Sequence, residues 1–327
     1  LYFSIGDRGY NVKASGKQWV NPESGAVFRC NPDGSQFEVI AYGLRNPQEL
    51  AFDDYGNLFT CDNNSDSGDQ ARWTVIAEGG DTGWRMSYQY LADRGPFNRE
   101  KIWHPFSAES PAYIVPPITN LSSGPAGVAY YPGTGLGDHF RGRFFLCDFR
   151  GAAAGSVIRT FRVEPVGAFF KVVDAEETVK RMLATDIEFG PDGAVYVSDW
   201  VDGWSGLGKG RIYRFTSSTH GSDPVVAEVR ELLGSDLRKR SPEDLVRLLG
   251  HVDRRVRQRA QFALVDLNAL EPLATLAQRG KQATVLARVH AVWGLGQLAA
   301  RAETGASESI RARIAEVLKK VADDEET

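Results

Sequence analysis

The sequence predicts a β-propeller followed by an array of paired α-helices. Two observations carry this prediction: a strand pattern that recurs in the first two thirds of the chain, and a helical pattern that recurs in the rest. A stretch rich in Ser, Thr and Gly at 216–224 separates them and is typical of a linker. Beyond it only Phe262 and Trp293 are aromatic, and Ala, Leu and Arg, which favour helices, replace the aromatic and β-branched residues that favour strands. We therefore assign 1–217 to the propeller and 218–327 to the helices.

The recurring strand begins with Gly, continues with mostly apolar residues and ends with Asp. Gly56 to Asp62, Gly142 to Asp148 and Gly193 to Asp199 are full copies, and Tyr2 to Asp7 is a fourth copy that lacks its front. Intervals of about 50 residues that each hold several short strands are typical of propeller blades. We count about four blades and expect six in the complete propeller, so we expect the chain to begin inside this domain.

The recurring helical unit runs from Arg257 to Leu264 and again from Arg288 to Leu295, with Arg, small and Leu residues at matching positions. Such a unit is a helix pair that buries its apolar stripe against its neighbours, as in HEAT-type repeats. We expect this array to bind a protein partner or to act as an ordered spacer. Four arginines at the start of the first unit favour a solvated helix face over an anion-binding patch: Arg254, Arg255, Arg257 and Arg259.

The composition excludes several classes of function. The chain of 327 residues is 42% hydrophobic and 24% charged, with a net charge of −4, so nothing draws it to nucleic acid or to an anionic membrane. No apolar run approaches the roughly 20 residues of a membrane span. Cys30, Cys61 and Cys147 lack the spacing of a metal or haem site, and we interpret them as small buried residues.

Three polar segments of the propeller could carry chemistry. The first, Gly43 to Leu50, holds Arg, Asn and Gln side chains that suit either a ligand carboxylate or the internal hydrogen bonds of a loop. The second, Asp62 to Asp69, is rich in oxygen atoms and suits Ca²⁺, although Asx-rich turns also form without a metal. The third, Asp199 to Trp204, holds two Trp side chains that suit stacking on a sugar or an aromatic cofactor, or capping of the core. His104 could reach the mouth of a channel.

These segments, in this order, resemble the glucose/sorbosone dehydrogenase family, propeller enzymes that use pyrroloquinoline quinone (PQQ) and calcium. The resemblance covers 1–215, and its most specific part is Arg-Asn-Pro-Gln at 45–48, followed by the acidic loop and by Gly-Trp at 83–84. Together with the helices, it makes the chain similar to the planctomycete and verrucomicrobial "membrane-bound dehydrogenase" subgroup. This implies a location in the periplasm or cell envelope.

The resemblance also implies roles for individual residues. Arg45, Asn46, Gln48 and Arg150 would bind PQQ. The calcium ligands would come from the acidic loop: Asp62, Asn64, Ser65 and Asp66. The general base of the family lies before the strand that contains Leu1, so no residue of this sequence is assigned to that role. Leu183 and Thr185 stand where the family has two cofactor-binding arginines.

The function implied is a PQQ- and calcium-dependent sugar dehydrogenase, in which hydride passes from a sugar hydroxyl to PQQ and electrons pass on to a cytochrome c. Two alternatives stay open. A calcium-dependent lactonase would need carboxylate and amide ligands that converge on the channel, and Asp62, Asn63, Asp148 and Asp199 could supply them. A non-catalytic glycan- or protein-binding scaffold would use the propeller and the helices only as surfaces.

Overall fold

The computed structural model describes residues 1–64, 69–85, 114–204, 208–302 and 308–323. The chain divides into two compact units. The first comprises Leu1–Tyr131, Gly142–Phe189 and Val195–Phe215, and the second comprises Pro132–Arg141, Gly190–Ala194 and Thr216–Thr327. The described helices include none that is long and apolar enough to cross a membrane.

The first unit is built from short strands. Among the described residues these are β1 Tyr2–Ile5, β2 Tyr10–Ala14, β3 Lys17–Asn21, β4 Gly25–Arg29, β5 Glu38–Leu44, β6 Pro47–Phe52, β7 Leu58–Asp62, β8 Ala71–Val75, β9 Gly80–Asp81, β10 Thr119–Ser122, β11 Pro125–Tyr130, β12 Arg143–Asp148, β13 Val157–Val166, β14 Phe169–Lys180, β15 Ala184–Phe189, β16 Val195–Asp199 and β17 Arg211–Phe215.

These strands form four larger sheets and a separate hairpin of β2 and β3, and none of the described sheets closes on itself. The sheet orders are β1-β4-β5-β9, β6-β7-β8-β10, β11-β12-β13-β14 and β15-β16-β17. Neighbours are antiparallel, apart from the parallel pair β5 and β9. The first strands of consecutive sheets lie side by side, β6 next to β11 and β11 next to β15. The predicted propeller-like arrangement of about four blades is thus confirmed.

The recurring Asp marks one position of the blade. Asp62, Asp148 and Asp199 end the second strands β7, β12 and β16, where each pairs with the first residue of β6, β11 or β15. Asp7 follows β1, an edge strand of its sheet. Aromatic side chains fill the space between the second and third sheets, with the Trp73 and Phe161 ring centroids 4.8 Å apart. Cys61 and Cys147 are buried free thiols, as predicted, whereas Cys30 is a free thiol that is only half-buried.

The second unit contains paired helices. Their bounds are α1 Pro224–Gly234, α2 Pro242–Leu248, α3 Arg254–Asp266, α4 Leu270–Ala277, α5 Val285–Ala302 and α6 Glu308–Ala322. The helix α2 packs on α3, and α4 packs on α5, around a core of Leu, Val and Ala side chains. A helical segment after the sheets is therefore confirmed, whereas its HEAT type stays a prediction.

Of the four arginines predicted to form a solvated helix face, Arg259 is exposed, Arg254 and Arg255 are half-buried and Arg257 is buried, so the prediction is wrong for Arg257. Arg257, in α3, is 2% exposed and donates hydrogen bonds to the carbonyl oxygens of His251 and Val252, just beyond the end of α2. Arg288 occupies the matching position of α5 and donates to the carbonyl oxygen of Ala277, the last residue of α4. The last carbonyls of a helix lack intrahelical partners, and Arg288 satisfies one of them, whereas Arg257 satisfies two carbonyls of the connection that follows α2. The recurring Arg is thus a structural part of each helix pair.

Candidate functional site

A cavity of about 570 Å³ lies within the first unit, beside the first strands of three consecutive sheets. Its lining residues occupy equivalent positions of the three blades. The first strands contribute Gln48 and Glu49, then Ala126 and Gly127, then Thr185 and Asp186. The residues directly after Asp62, Asp148 and Asp199 line it as well: Asn63, Phe149 and Trp200. The site is therefore formed by residues at equivalent positions of the repeated blades.

Asp62 and Asp148 fix the rim of this cavity. Both are 0% exposed. Asp62 accepts hydrogen bonds from the backbone N–H groups of Arg45 and Asn46 at 3.0 and 2.7 Å, and it forms an ion pair with Arg72 of β8. Since residues 45 and 46 lead into β6, the carboxylate ties the end of the second strand to the beginning of the first.

Asp148 makes the equivalent contacts in the next sheet. It accepts hydrogen bonds from the backbone N–H groups of Ser123 and Gly124, which lead into β11, and it pairs with Arg150 and Arg159 at 2.8 and 3.1 Å. Burial on its own would raise the pKa of Asp148, but the hydrogen bonds from Arg150, Ser122 and Ser123 hold that pKa below its usual value. Both carboxylates are therefore occupied by protein donors.

The aromatic wall of the cavity is formed by Phe149, Trp200 and Trp204. The rings of Phe149 and Trp204 meet edge to face, with centroids 5.0 Å apart. Trp204 is 76% exposed, and its indole covers Gly151, where a Cβ atom would lie 2.1 Å from the indole nitrogen. Because Gly151 also has a φ of +74°, only glycine suits this position. The third segment singled out in the sequence thus contributes two exposed rings to the cavity.

The lining also carries a pair of carboxyl groups. Glu49 of β6 and Asp186 of β15 lie close enough for a hydrogen bond between their side chains when one of them is protonated, and the backbone N–H of Val128 donates to Glu49 Oε2 at 2.5 Å. The pKa of Glu49 is raised to about 7, above all by burial and also by the charges of Asp186 and Glu188, against the opposing effect of the Val128 N–H. A carboxyl with this pKa exchanges its proton near neutral pH.

The residues predicted to bind PQQ do not meet in this cavity. Gln48 is exposed and lines it. Arg45 is buried, and Asn46 is half-buried and accepts the N–H of Asn63 with its carbonyl oxygen. Arg150 is turned to Asp148. Leu183 is buried, while Thr185 lines the cavity and its hydroxyl lies 2.8 Å from that of Ser198.

The predicted calcium loop is only partly within the described residues, since Ser65 and Asp66 lie outside them, as does His104. The Asp62 carboxylate is taken up by amides and by Arg72. Asn64 Oδ1 is buried and accepts no hydrogen bond from any described residue, which suits a hard cation, while Asn64 Nδ2 donates to the carbonyl oxygen of Asp69 at 3.1 Å. Within the described ranges no group of three or more His, Cys, Asp or Glu side chains is placed to hold a metal ion.

Sequence reasoning missed Glu49 and Asp186. Both directly precede the apolar part of a first strand, as Gly127 does in the blade between them. The sequence signal that could have found them is the alignment of the apolar runs that begin at Leu50, Val128 and Ile187. This alignment puts an acidic residue directly before the run in two blades.

A family model described as a domain of unknown function, DUF7133, matches residues 1–218. The chain belongs to the DUF7133 family. No curated protein matches its sequence.

Several solved structures are similar to this DUF7133 chain. A glucose dehydrogenase-type oxidoreductase from Thermus thermophilus is 22% identical, with a TM-score of 0.41, over 58% of this chain and 54% of that one. The PQQ-bound aldose sugar dehydrogenase from Streptomyces coelicolor is 18% identical, with a TM-score of 0.39, over 65% and 57%. The apo form of the soluble aldose sugar dehydrogenase from Escherichia coli is 17% identical, with a TM-score of 0.37, over 61% and 57%.

The chain thus spans between half and two thirds of the length of these three structures. The planctomycete and verrucomicrobial subgroup stays a prediction.

Proposed function

We propose that this chain has a sugar dehydrogenase-like function and that the cavity beside β6, β11 and β15 holds the sugar. The observation that carries the proposal is the chemistry of the lining, which combines exposed Trp rings with amide and carboxyl groups. The flat apolar faces of a sugar ring pack on aromatic side chains, while its hydroxyls hydrogen-bond to carboxyl and amide groups. A concave site of this volume is also of the size that takes small molecules.

The lining does not fit PQQ. PQQ is a polycarboxylate, and its recognition calls for cationic side chains. Among the described residues that line the cavity there is no Arg or Lys, and there are two acidic side chains, Glu49 and Asp186. We therefore place the sugar, and not PQQ, in this cavity, and we derive no step through PQQ.

Other parts of the proposal rest on the resemblance alone. These are calcium at the loop that contains Asn64, a cytochrome c as electron acceptor, a protein partner for the helical unit, and a location in the periplasm or cell envelope. The lactonase alternative loses support from the geometry, because Asp62 and Asp148 are occupied by amides and arginines and do not converge on a metal. Dye reduction in the presence of sugar, PQQ and Ca²⁺ distinguishes the non-catalytic scaffold from the dehydrogenase.

The test is calorimetric titration of the full chain with a panel of aldoses and their polyols. We expect saturable binding of at least one sugar, and we expect Trp204→Ala to weaken it by roughly tenfold through the loss of ring contact. Because Trp204 is largely exposed, this change leaves the fold intact. Tyr55→Ala is the matched control, since Tyr55 is also exposed, at 59%, but lies outside the cavity lining, and it should leave binding unchanged.

Two results would contradict the proposal: no sugar of the panel binds, or Trp204→Ala binds as tightly as the wild type. Added PQQ that displaces the bound sugar would place the cofactor in this cavity instead. A sugar that binds without dye reduction, in the presence of PQQ and Ca²⁺, would favour the glycan-binding scaffold over the dehydrogenase.

A further inference from the structure

The carboxyl pair of the cavity joins equivalent positions of two blades that are not adjacent. Glu49 directly precedes the apolar part of β6, and Asp186 directly precedes the apolar part of β15. The intervening strand β11 carries Gly127 at the same position. A Cβ atom on Gly127 would lie 2.5 Å from Asp186 Cα and 2.8 Å from Asp186 Oδ1. Since real Cβ atoms do not approach so closely, glycine in the middle blade is what allows Asp186 to come near Glu49.

The groups around Glu49 are acidic, neutral or backbone donors. Asp186 and Glu188 come from β15. The thiol of Cys147 comes from β12, and its pKa is raised by burial and by the charges of Asp186 and Glu49. The strand β11 supplies the N–H of Val128, and the Thr60 hydroxyl of β7 donates to the backbone carbonyl of Glu49 rather than to its carboxyl. Among these groups none is cationic. Two carboxyl groups can therefore share a hydrogen bond here only while one proton remains between them.

A singly protonated pair has a distinct recognition chemistry. When a ligand replaces the hydrogen bond between the two carboxyls, the pair offers it one O–H donor together with carboxylate acceptors, in the cavity that Phe149 and the Trp rings also line. Two neighbouring hydroxyls of a sugar each need one donor or acceptor, and such a pair supplies both. A doubly ionised pair would offer acceptors only, and it would repel its own partner.

We propose that Glu49 and Asp186 recognise a vicinal diol of the bound sugar as a pair that holds a single proton. This inference rests on the proposed function, because it names the recognition element of the same cavity. Protons are therefore linked to sugar binding: the pair must keep, or take up, one proton when the ligand enters. The pKa of Glu49, near 7, puts that linkage in the neutral range.

The experiment measures the affinity of the full chain for the best sugar of the panel between pH 6.5 and 8.5, in two buffers of different ionisation enthalpy. We expect affinity to fall roughly 30-fold over this interval, since a required proton costs about tenfold per pH unit above its pKa. The heat of binding should differ between buffers at pH 8, which reports proton uptake. The corresponding sugar that lacks one of the two hydroxyls should bind weakly at both pH values.

Glu49→Gln should abolish the pH dependence while it keeps a donor and an acceptor at this position. Glu188→Gln is the matched control, because it removes a nearby charge without entering the pair, and it should keep the pH dependence and lower its midpoint. A flat profile for the wild type, with the sugar bound, overturns the inference and leaves the proposed function in place. An absence of any sugar binding overturns the proposed function instead.

A ligand-independent measurement completes the test. The carboxyl carbon of Glu49, followed by NMR in protein labelled with ¹³C-glutamate and assigned through Glu49→Gln, should titrate near pH 7. Titration below pH 5 would overturn the inference whether or not a sugar binds.

Discussion

Asp62 and Glu49 lie in the same sheet of this protein, yet their carboxyl groups have opposite surroundings. Asp62 ends the second strand and meets two backbone N–H groups and the guanidinium of Arg72. Glu49 lies near the beginning of the first strand, where the groups around it include two carboxyls from β15. The first arrangement stabilises the ionised form, whereas the second opposes it.

The position in the blade explains this difference. The recurring Asp closes a loop within its own sheet, so local backbone donors satisfy it, as the matching contacts of Asp148 show. The equivalent position of Glu49 and Asp186 faces other blades, and groups from those blades meet Glu49: the backbone N–H of Val128 in β11 and the carboxyl groups of β15. A carboxylate that holds the fold and a carboxyl pair that is suited to ligand chemistry are thus built from one repeat.

The largest expected effect tests Asp62, the carboxylate that holds the fold. Asp62→Ala leaves the buried Arg72 without its carboxylate and two amides without their acceptor, so we expect a loss of about 3–5 kcal/mol in the free energy of unfolding of the first unit. Urea unfolding of the full chain, followed by near-ultraviolet circular dichroism, measures this because nearly all aromatic residues lie in that unit. Asp33→Ala, in an exposed turn, should change the value by less than about 0.5 kcal/mol.

A double variant sharpens that prediction. Asp62→Leu combined with Arg72→Met removes both charges, and it should recover part of the loss, because the unpaired buried cation is gone. A loss below about 1 kcal/mol for Asp62→Ala would show that the strand-end Asp does not hold the blade together.

The next effect concerns a buried charge of the helical unit. Arg257→Met removes the donors to the carbonyls of His251 and Val252, and we expect a loss of about 2–3 kcal/mol in the free energy of unfolding of that unit, followed by far-ultraviolet circular dichroism. Arg259→Met is the matched control, because Arg259 also donates to backbone carbonyls but is exposed, and it should cost about 1 kcal/mol or less. Equal losses for the two variants would contradict a special role for the recurring Arg.

The blades and the helix pairs could be predicted from the sequence because each is a local pattern with a fixed period. The aromatic wall was also within reach, since Trp200 directly follows a recurring Asp. The roles of the charges were not. An acidic loop looks the same whether its carboxylate meets a metal or an arginine, and Arg72 lies in a strand whose pattern gives no reason to pair it with Asp62. Glu49 and Asp186 meet only through the packing of separate blades over Gly127, which no local period encodes.

The smallest effect has the opposite sign and tests the second half of the comparison. The pKa of Glu49 is about 7 in the folded protein and near 4.5 in the unfolded chain, so the folded state holds the extra proton between these values. Its contribution to stability is therefore complete below pH 4.5 and is lost as the pH rises towards 7. Glu49→Gln does not titrate, so we expect it to be more stable than the wild type by about 1–2 kcal/mol at pH 8, with a smaller gain at pH 5.

Urea unfolding at pH 5 and pH 8 measures this difference, with Glu38→Gln as the control. Glu38 forms an ion pair with Arg29, so its neutralisation should lower stability slightly at pH 8, the reverse of the effect at Glu49. If Glu49→Gln were destabilising at pH 8, a donor would have to stabilise the ionised carboxyl, and Glu49 would be a structural carboxylate like Asp62. A gain that grows with pH would instead show that the fold tolerates this carboxyl at a cost in stability, as is common for groups placed at a binding site.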